Sequence, residues 1–107
     1  MNNKEQAQEY LNAIKDNTYD LDTIIEWLYN YECEHCTDFN IVDVDTLDIM
    51  VETEAQRGGF VRVAHFLAGI EWLNMNYYRI DGYGNARDIE ASDLECWLQD
   101  IINGDYE

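Results

Sequence analysis

The strongest hydrophobic period in the chain runs from residue 60 to residue 73. Its apolar residues recur at three- and four-residue spacing, which is the pattern of a helix with one buried face. They are Phe60, Val63, Phe66, Leu67, Ile70 and Leu73. We therefore predict that this segment forms the central helix of the fold, with Leu67 and Ile70 deep in the core.

Two stripes of the same spacing predict two helices in the first third of the chain. One runs from Lys4 to about Lys15. The second follows Asp20, which we expect to be its N-cap because a short side-chain oxygen there can accept the first free N–H groups. This second helix is expected to continue to about Tyr31, before a polar loop over residues 32–40.

Two further helices are predicted on either side of the central one. The first of them is expected to begin at Asp45 or Thr46 and to end at Gly58, because glycine favours helix termination. The last is expected to begin at Ser92, since Glu95 follows three residues later, at the spacing of a capping box.

Residues 76–89 predict a short β-hairpin. Strand-forming residues at 76–81 precede Gly82, Gly84 and Asn85, which are typical turn residues. The chain contains no proline, and no Gly/Ser-rich linker divides it. The prediction is therefore an α+β, mostly helical single domain over residues 1–107, with about five helices and one hairpin.

The charge of the chain is strongly unbalanced. It contains 23 acidic and 6 basic residues, for a formal net charge of -17, and no basic residue lies between Lys15 and Arg57. A hydrophobic content of 47% argues against disorder, so a folded domain with an acidic surface is expected. Two interpretations stay open: a solvated surface, or one that faces a basic partner.

Sequence features favour a cytoplasmic protein. Its three cysteines form no disulfide framework, its amino-terminal segment has no apolar signal core, and it has no apolar stretch long enough for a membrane span. An acidic surface is repelled by nucleic acid and by anionic lipid. We therefore expect no direct nucleic-acid partner and no membrane partner.

Cys33 and Cys36 have the spacing of a zinc knuckle. A structural zinc site needs about four ligands, and the other candidates, Cys96 and His65, fall inside predicted helices. A redox role is disfavoured because acidic neighbours raise a thiol pKa. We expect no metal, no cofactor, and cysteines that are buried or half-buried.

The segment from Asp43 to Glu54 partly matches an EF-hand loop. Asp43, Asp45 and Glu54 fit loop positions one, three and twelve. Leu47 then stands where an oxygen ligand is needed, and Asp48 stands where the turn requires glycine. Calcium specificity is therefore not expected.

No catalytic motif is present in the sequence. Ser92 is the only serine, and there is no Gly-x-Ser-x-Gly, no phosphate-binding glycine loop and no His-Glu-x-x-His. His65 is expected to be a packed structural side chain. We predict that the protein is not an enzyme.

One short segment resembles a known family. Residues 78–89 are similar to the Tyr-, Gly- and Asp-rich stretches of ArdA-type antirestriction proteins, through Tyr78, Asp81, Gly84, Asn85 and Asp88. Members of that family are acidic, phage- or plasmid-borne DNA mimics that block restriction enzymes. In composition and size the chain also resembles small acidic anti-CRISPR proteins, whose targets are the DNA-binding grooves of CRISPR effectors.

We therefore expect a phage or mobile-element inhibitor that acts in a bacterial cytoplasm and occupies the basic nucleic-acid groove of a defence nuclease. The alternatives are an acidic interaction or assembly module anchored by surface aromatic residues and, less favoured, a small zinc-binding domain. The expected partner-binding residues are Asp20, Asp22, Glu26, Trp27, Tyr31, Asp43, Asp45, Asp48, Glu52, Glu54, Tyr78, Asp81 and Asp88.

Overall fold

The computed structural model describes residues 1–70 and 76–107. Within these ranges it contains five α-helices and one three-stranded antiparallel sheet, which confirms the α+β, mostly helical class and the predicted hairpin. The elements are α1 (Asn3–Lys15), α2 (Leu21–Glu34), β1 (Ile41–Asp43), α3 (Val44–Gln56), α4 (Phe60–Leu67), β2 (Tyr77–Ile80), β3 (Ala86–Arg87) and α5 (Ala91–Ile102).

The chain forms two compact units, and the sequence of the second interrupts that of the first. The helical unit comprises residues 1–39 and 90–107, with α1, α2 and α5. The sheet unit comprises residues 40–89, with the three strands, α3 and α4. The single-domain organisation stays a prediction.

The helical unit is built from three amphipathic helices. Helix α5 packs against both α1 and α2, and the buried residues of each helix follow the apolar stripe that predicted it. Asp20 is the N-cap of α2, as predicted, and its side chain accepts hydrogen bonds from the backbone N–H groups of Asp22 and Thr23.

The predicted N-cap of α5, Ser92, is wrong by two residues. The helix begins at Ala91 with Glu90 as its N-cap, and Ser92 lies inside the first turn. The carboxylate of Asp93 accepts a hydrogen bond from the backbone N–H of Glu90 at 3.0 Å. The Glu90 side chain in turn accepts the backbone N–H of Asp93, which completes a capping box. These two bonds satisfy helix-end N–H groups, a role that the sequence analysis had assigned to Ser92 and Glu95.

The sheet unit places β2 at the centre of its sheet. Val42 of β1 pairs with Tyr78 of β2, and Ala86 of β3 pairs with Ile80 on the other side. Strand β1 follows the loop predicted for residues 32–40 and lies in a stretch for which the sequence analysis predicted no element. It leads directly into α3, whose N-cap is Asp43, not the predicted Asp45 or Thr46.

Helix α4 is shorter than the predicted central helix. It ends at Leu67, and Gly69 then forms a parallel bridge with Arg87, so the backbone leaves the helix to run beside β3. Leu67 and Ile70 are therefore half-buried, not deep in the core as predicted. The predicted position Leu73 lies outside the described residues.

One buried cluster of the sheet unit contains a residue from each of α3 and α4 and a residue from each strand of the hairpin. The buried members of this cluster are Leu47, Phe66, Tyr78 and Ala86. Among residues 1–70 and 76–107, no helix has both the length and the apolar composition that crossing a bilayer requires.

Candidate protein interface

The acidic residues divide unevenly between the two units. The helical unit contains fifteen acidic residues and two lysines, whereas the sheet unit contains eight acidic residues and four arginines. Neither α2 nor α5 contains a lysine or an arginine. The negative charge that the sequence suggested for the whole chain is therefore concentrated on the helical unit.

Helix α2 carries a row of exposed polar side chains. Asp22, Glu26, Asn30 and Glu34 are four residues apart, and all of them are exposed. Four residues advance a helix by about 6 Å, so the three carboxylates of this row lie along one exposed face. A basic surface can approach them without displacing core side chains.

The carboxyl-terminal turns of α2 and α3 carry acidic residues where a helix favours cations. Glu32 and Glu34 lie in the last turn of α2, and Glu54 lies near the end of α3. An exposed charge of the wrong sign at a helix end, such as that of Glu34, costs about 0.3–1 kcal/mol. The Glu32 carboxylate accepts a hydrogen bond from the hydroxyl of Thr37 at 2.5 Å, which offsets part of this cost.

Helix α3 carries a second acidic row. Asp45, Asp48 and Glu52 are exposed on one face, beside an Ile49 side chain that is 64% exposed. Two other candidates on this segment have local structural contacts. Asp43 caps α3 by accepting the N–H of Thr46 at 2.7 Å, and the half-buried Glu54 lines a groove described below.

The two aromatic candidates of α2 belong to an aromatic cluster of the helical unit. Tyr31 is only 4% exposed, and its ring stacks on His35 with centroids 3.9 Å apart. The half-buried Trp27 lies against Tyr10 and Tyr31. Burial and the neighbouring Glu107 carboxylate raise the pKa of Tyr31 to about 12. The expectation that Tyr31 anchors a partner is therefore wrong, because its side chain is already packed.

Three candidates in residues 76–89 have roles inside the fold. Tyr78 is fully buried in the core, and Asp88 is only 6% exposed. Burial, Asp88 and Asp48 together raise the pKa of Tyr78. Both Tyr78 and Asp88 were expected at the interface, and their burial corrects that expectation.

The hairpin turn accounts for the other residues of the ArdA-like segment. The side chain of Asp81 accepts the backbone N–H groups of Tyr83 and Asn85, both at 2.9 Å. Gly84 has a φ of +79°, which glycine adopts without strain. Turn geometry and core packing thus explain the residues that carry the resemblance.

All three cysteines are exposed, contrary to the expectation that they are buried or half-buried. Helix α2 runs through Cys33 to Glu34, so the Cys33–Cys36 pair spans a helix end instead of lying within one loop. Within the described ranges, no three His, Cys, Asp or Glu side chains cluster in a way that could hold a metal ion.

The sheet unit exposes large apolar side chains that the sequence interpretation missed. Ile49, Phe60, Val61 and Tyr83 are between 64% and 84% exposed. Phe60 and Val61 were assigned to a helix with a single buried face. Their exposure could have been predicted from the sequence of α4, which has apolar residues on nearly every side. The rest of the unit can cover only one side of a helix, so some of these residues had to remain exposed.

The sheet unit also has a groove of about 410 Å³ between α3, α4 and the hairpin turn. Its apolar walls are formed by Ile49, Met50, Phe66 and Ile80, and the charged residues Glu54 and Arg62 also line it. The Arg62 guanidinium packs so closely over the turn that a Cβ added to Gly84 would lie 2.9 Å from it. Arg62 also lines a second, more polar hollow with His65, Tyr83 and Asn85.

The structure thus offers two surfaces with different chemistry. The helical unit presents rows of carboxylates, and the sheet unit presents exposed apolar side chains beside a cation. No protein-family model, curated protein or solved structure matches the chain.

Proposed function

We propose that this protein is an acidic decoy that binds the basic nucleic-acid groove of a bacterial defence nuclease and competes with DNA. The observation that carries the proposal is the concentration of fifteen acidic residues against two lysines on the helical unit. The intended targets are restriction enzymes or CRISPR effectors in the cytoplasm of a bacterial host.

The α2 row gives this proposal a physical mechanism. Asp22 and Glu26 are about 6 Å apart along the helix axis, a spacing of the same order as that of the backbone charges of duplex DNA, and Glu34 lies about 12 Å beyond Glu26. Asp22, Glu26 and Glu34 are exposed, so lysine and arginine side chains of a groove can reach them. Association with such a partner is electrostatically steered and weakens as salt is added.

The energetic cost of the charge also supports a role in binding. Like charges four residues apart destabilise a helix by a few tenths of a kcal/mol per pair, and α2 contains such a pair in Asp22 and Glu26. The acidic residues at its carboxyl-terminal end add to this cost. A surface needed only for solubility could have avoided both arrangements by placing some of these charges elsewhere.

The test is competition for DNA. A panel of purified restriction endonucleases and CRISPR effectors with labelled DNA is titrated with the protein, and loss of the nuclease–DNA complex is measured by electrophoresis. We expect at least one effector to release its DNA, with a weaker effect at high salt. Failure to displace DNA from any effector would overturn groove competition.

Two triple variants identify the surface. Asp22→Asn/Glu26→Gln/Glu34→Gln and Asp45→Asn/Asp48→Asn/Glu52→Gln remove the same number of exposed charges, from α2 and from α3. If the α2 row is the site, the first variant loses displacement and the second retains most of it. Equal losses would show that net charge alone acts.

A second candidate function is that of an interaction module anchored by apolar side chains. The observation that favours it is the exposure of Phe60 and Val61, at 70% and 72%. Neighbouring exposed apolar side chains of this size are typical of interfaces. Binding through them survives high salt, which separates this function from groove competition.

A further inference from the structure

The outer face of α3 combines acidic residues with one large apolar side chain. Asp45, Asp48, Ile49 and Glu52 are all exposed, and their spacing places them on one stripe of the helix. Ile49 is 64% exposed although α3 has an apolar face that is covered. The outer face of α3 therefore has an apolar residue surrounded by negative charge.

The outer face of α4 has the opposite character. Phe60, Val61, Ala64 and Ala68 are exposed on neighbouring turns, with the exposed Arg62 and His65 beside them. No aspartate or glutamate occurs between Arg57 and Ile70, in a chain that contains 23 acidic residues. This face is apolar, with the basic residues Arg62 and His65 beside it and the Glu54 carboxylate close to Gly59, just before the first residue of α4.

We propose that the sheet unit binds a second copy of this chain, with α3 of one protomer against α4 of its partner. In a two-fold interface the same patch serves both protomers, so every contact occurs twice and the patch must be complementary to itself. Helices α3 and α4 pack side by side within the sheet unit and expose complementary faces. The two-fold arrangement pairs Asp48 with Arg62 of the second copy, and Ile49 with its Val61.

A second copy fits this surface better than an unrelated partner. A basic partner would match α3 and would leave the apolar face of α4 uncovered. An acidic partner would match the border of α4 and would be repelled by α3. Only a partner that offers both faces satisfies both helices, and a second copy of this chain does so by symmetry.

The net charge of the chain does not exclude this contact. The sheet unit contains eight acidic residues and four arginines, so most of the negative charge belongs to the helical unit. At physiological ionic strength, charges more than about 8 Å apart are largely screened. Repulsion between carboxylates that are farther apart than this is therefore weak compared with the attraction between the paired charges at the contact.

The test is a pair of charge reversals studied by sedimentation equilibrium, without nuclease or DNA. We expect the wild-type chain to be a dimer and to dissociate at least ten-fold more readily as Asp48→Arg or as Arg62→Glu. An equimolar mixture of the two variants should form dimers again. In that mixed dimer, one contact has both charges reversed and the other is unchanged, so both are attractive.

Val61→Asp provides a second variant, because Arg62 also packs over the hairpin turn and its replacement could disturb the fold. Val61 is 72% exposed, so Val61→Asp should keep the far-ultraviolet circular dichroism spectrum of the wild type. We expect this variant to be folded but monomeric, because the aspartate would face Ile49 of the second copy. A wild-type chain that is monomeric at several hundred micromolar would overturn the proposal. Variants that remain dimeric, or a mixture that remains monomeric, would overturn it as well.

Discussion

Asp81 accepts a hydrogen bond from the Nε of Arg87 at 2.5 Å, across the turn that joins β2 to β3. The same side chain accepts the backbone N–H groups of Tyr83 and Asn85. The pKa of Asp81 is held below its ordinary value, chiefly by the hydrogen bond from the backbone N–H of Asn85 and next by the hydrogen bond from Arg87. One carboxylate thus organises both the turn and the pairing of its strands.

Asp81→Asn should destabilise the protein at neutral pH, because the amide loses the charge-assisted bonds. A carboxylate whose pKa is lowered by folding stabilises the fold above its unfolded pKa, and this contribution is lost as pH falls through the folded pKa. The difference in urea midpoint between Asp81→Asn and wild type should therefore narrow from pH 7 to pH 3. A constant difference would contradict this role of the charge.

Gly84→Ala should be destabilising. Its φ of +79° costs an alanine roughly 1–2 kcal/mol, and the new Cβ would displace the Arg62 guanidinium. Gly82 is the matched control, because a Cβ there meets open space and φ is not in the left-handed region. Thermal unfolding should show a lower midpoint for Gly84→Ala and little change for Gly82→Ala. Equal effects would show that the turn does not depend on this conformation.

Asp100→Asn should stabilise the protein at neutral pH. Burial raises the pKa of Asp100, and Asp105 and Asp38 raise it further. A carboxylate with a raised pKa lowers stability as pH rises through the interval above its ordinary value, because the folded state disfavours the charge. The gain in melting temperature should be present at pH 7 and absent at pH 3.

The control for Asp100 is Glu95→Gln on the exposed face of α5. Glu95→Gln removes one negative charge from the same helix, but this charge is exposed, whereas that of Asp100 is half-buried. If both variants stabilise equally, relief of general repulsion explains the effect, and the local environment of Asp100 does not.

Two substitutions of Asp20 distinguish the contribution of its N-cap hydrogen bonds from that of its negative charge. Its carboxylate accepts the N–H groups of Asp22 and Thr23 at the start of α2. Asp20→Ala should cost about 1 kcal/mol of unfolding free energy, whereas Asp20→Asn should cost little, because asparagine caps almost as well. Chemical denaturation measures both. A similar loss for both variants would mean that the negative charge, and not the cap, stabilises the helix.

Local patterns predicted the elements whose stability is local. The Asp20 cap and the hairpin around Gly84 depend on residues a few positions apart, and both are confirmed. Helix α3 ends at Gln56, and Gly58, which was predicted to end it, follows two residues later with a φ of +78°. Strand β1 was missed as a strand because its three residues are stabilised by pairing with β2, whose residues lie more than thirty positions later. The hydrophobic periodicity of a short segment carries no information about a pairing between residues so far apart in the sequence.

Burial was harder to predict than secondary structure. Phe60 and Phe66 have the same hydropathy and lie in one helix, yet Phe60 is 70% exposed and Phe66 is 9% exposed. Only the packing of α4 on the rest of the sheet unit decides between them. For the same reason Tyr31 and Tyr78, which looked like surface anchors, are core residues.

The most direct test of the central claim is the salt dependence of binding to an effector that the competition panel identifies. The apparent dissociation constant is measured between 50 and 200 mM salt for the wild type and for Asp22→Asn/Glu26→Gln/Glu34→Gln. Groove mimicry predicts that wild-type binding weakens steeply over this range, and that the variant binds more weakly at low salt with a shallower dependence. An affinity that changes neither with salt nor with these substitutions would contradict it.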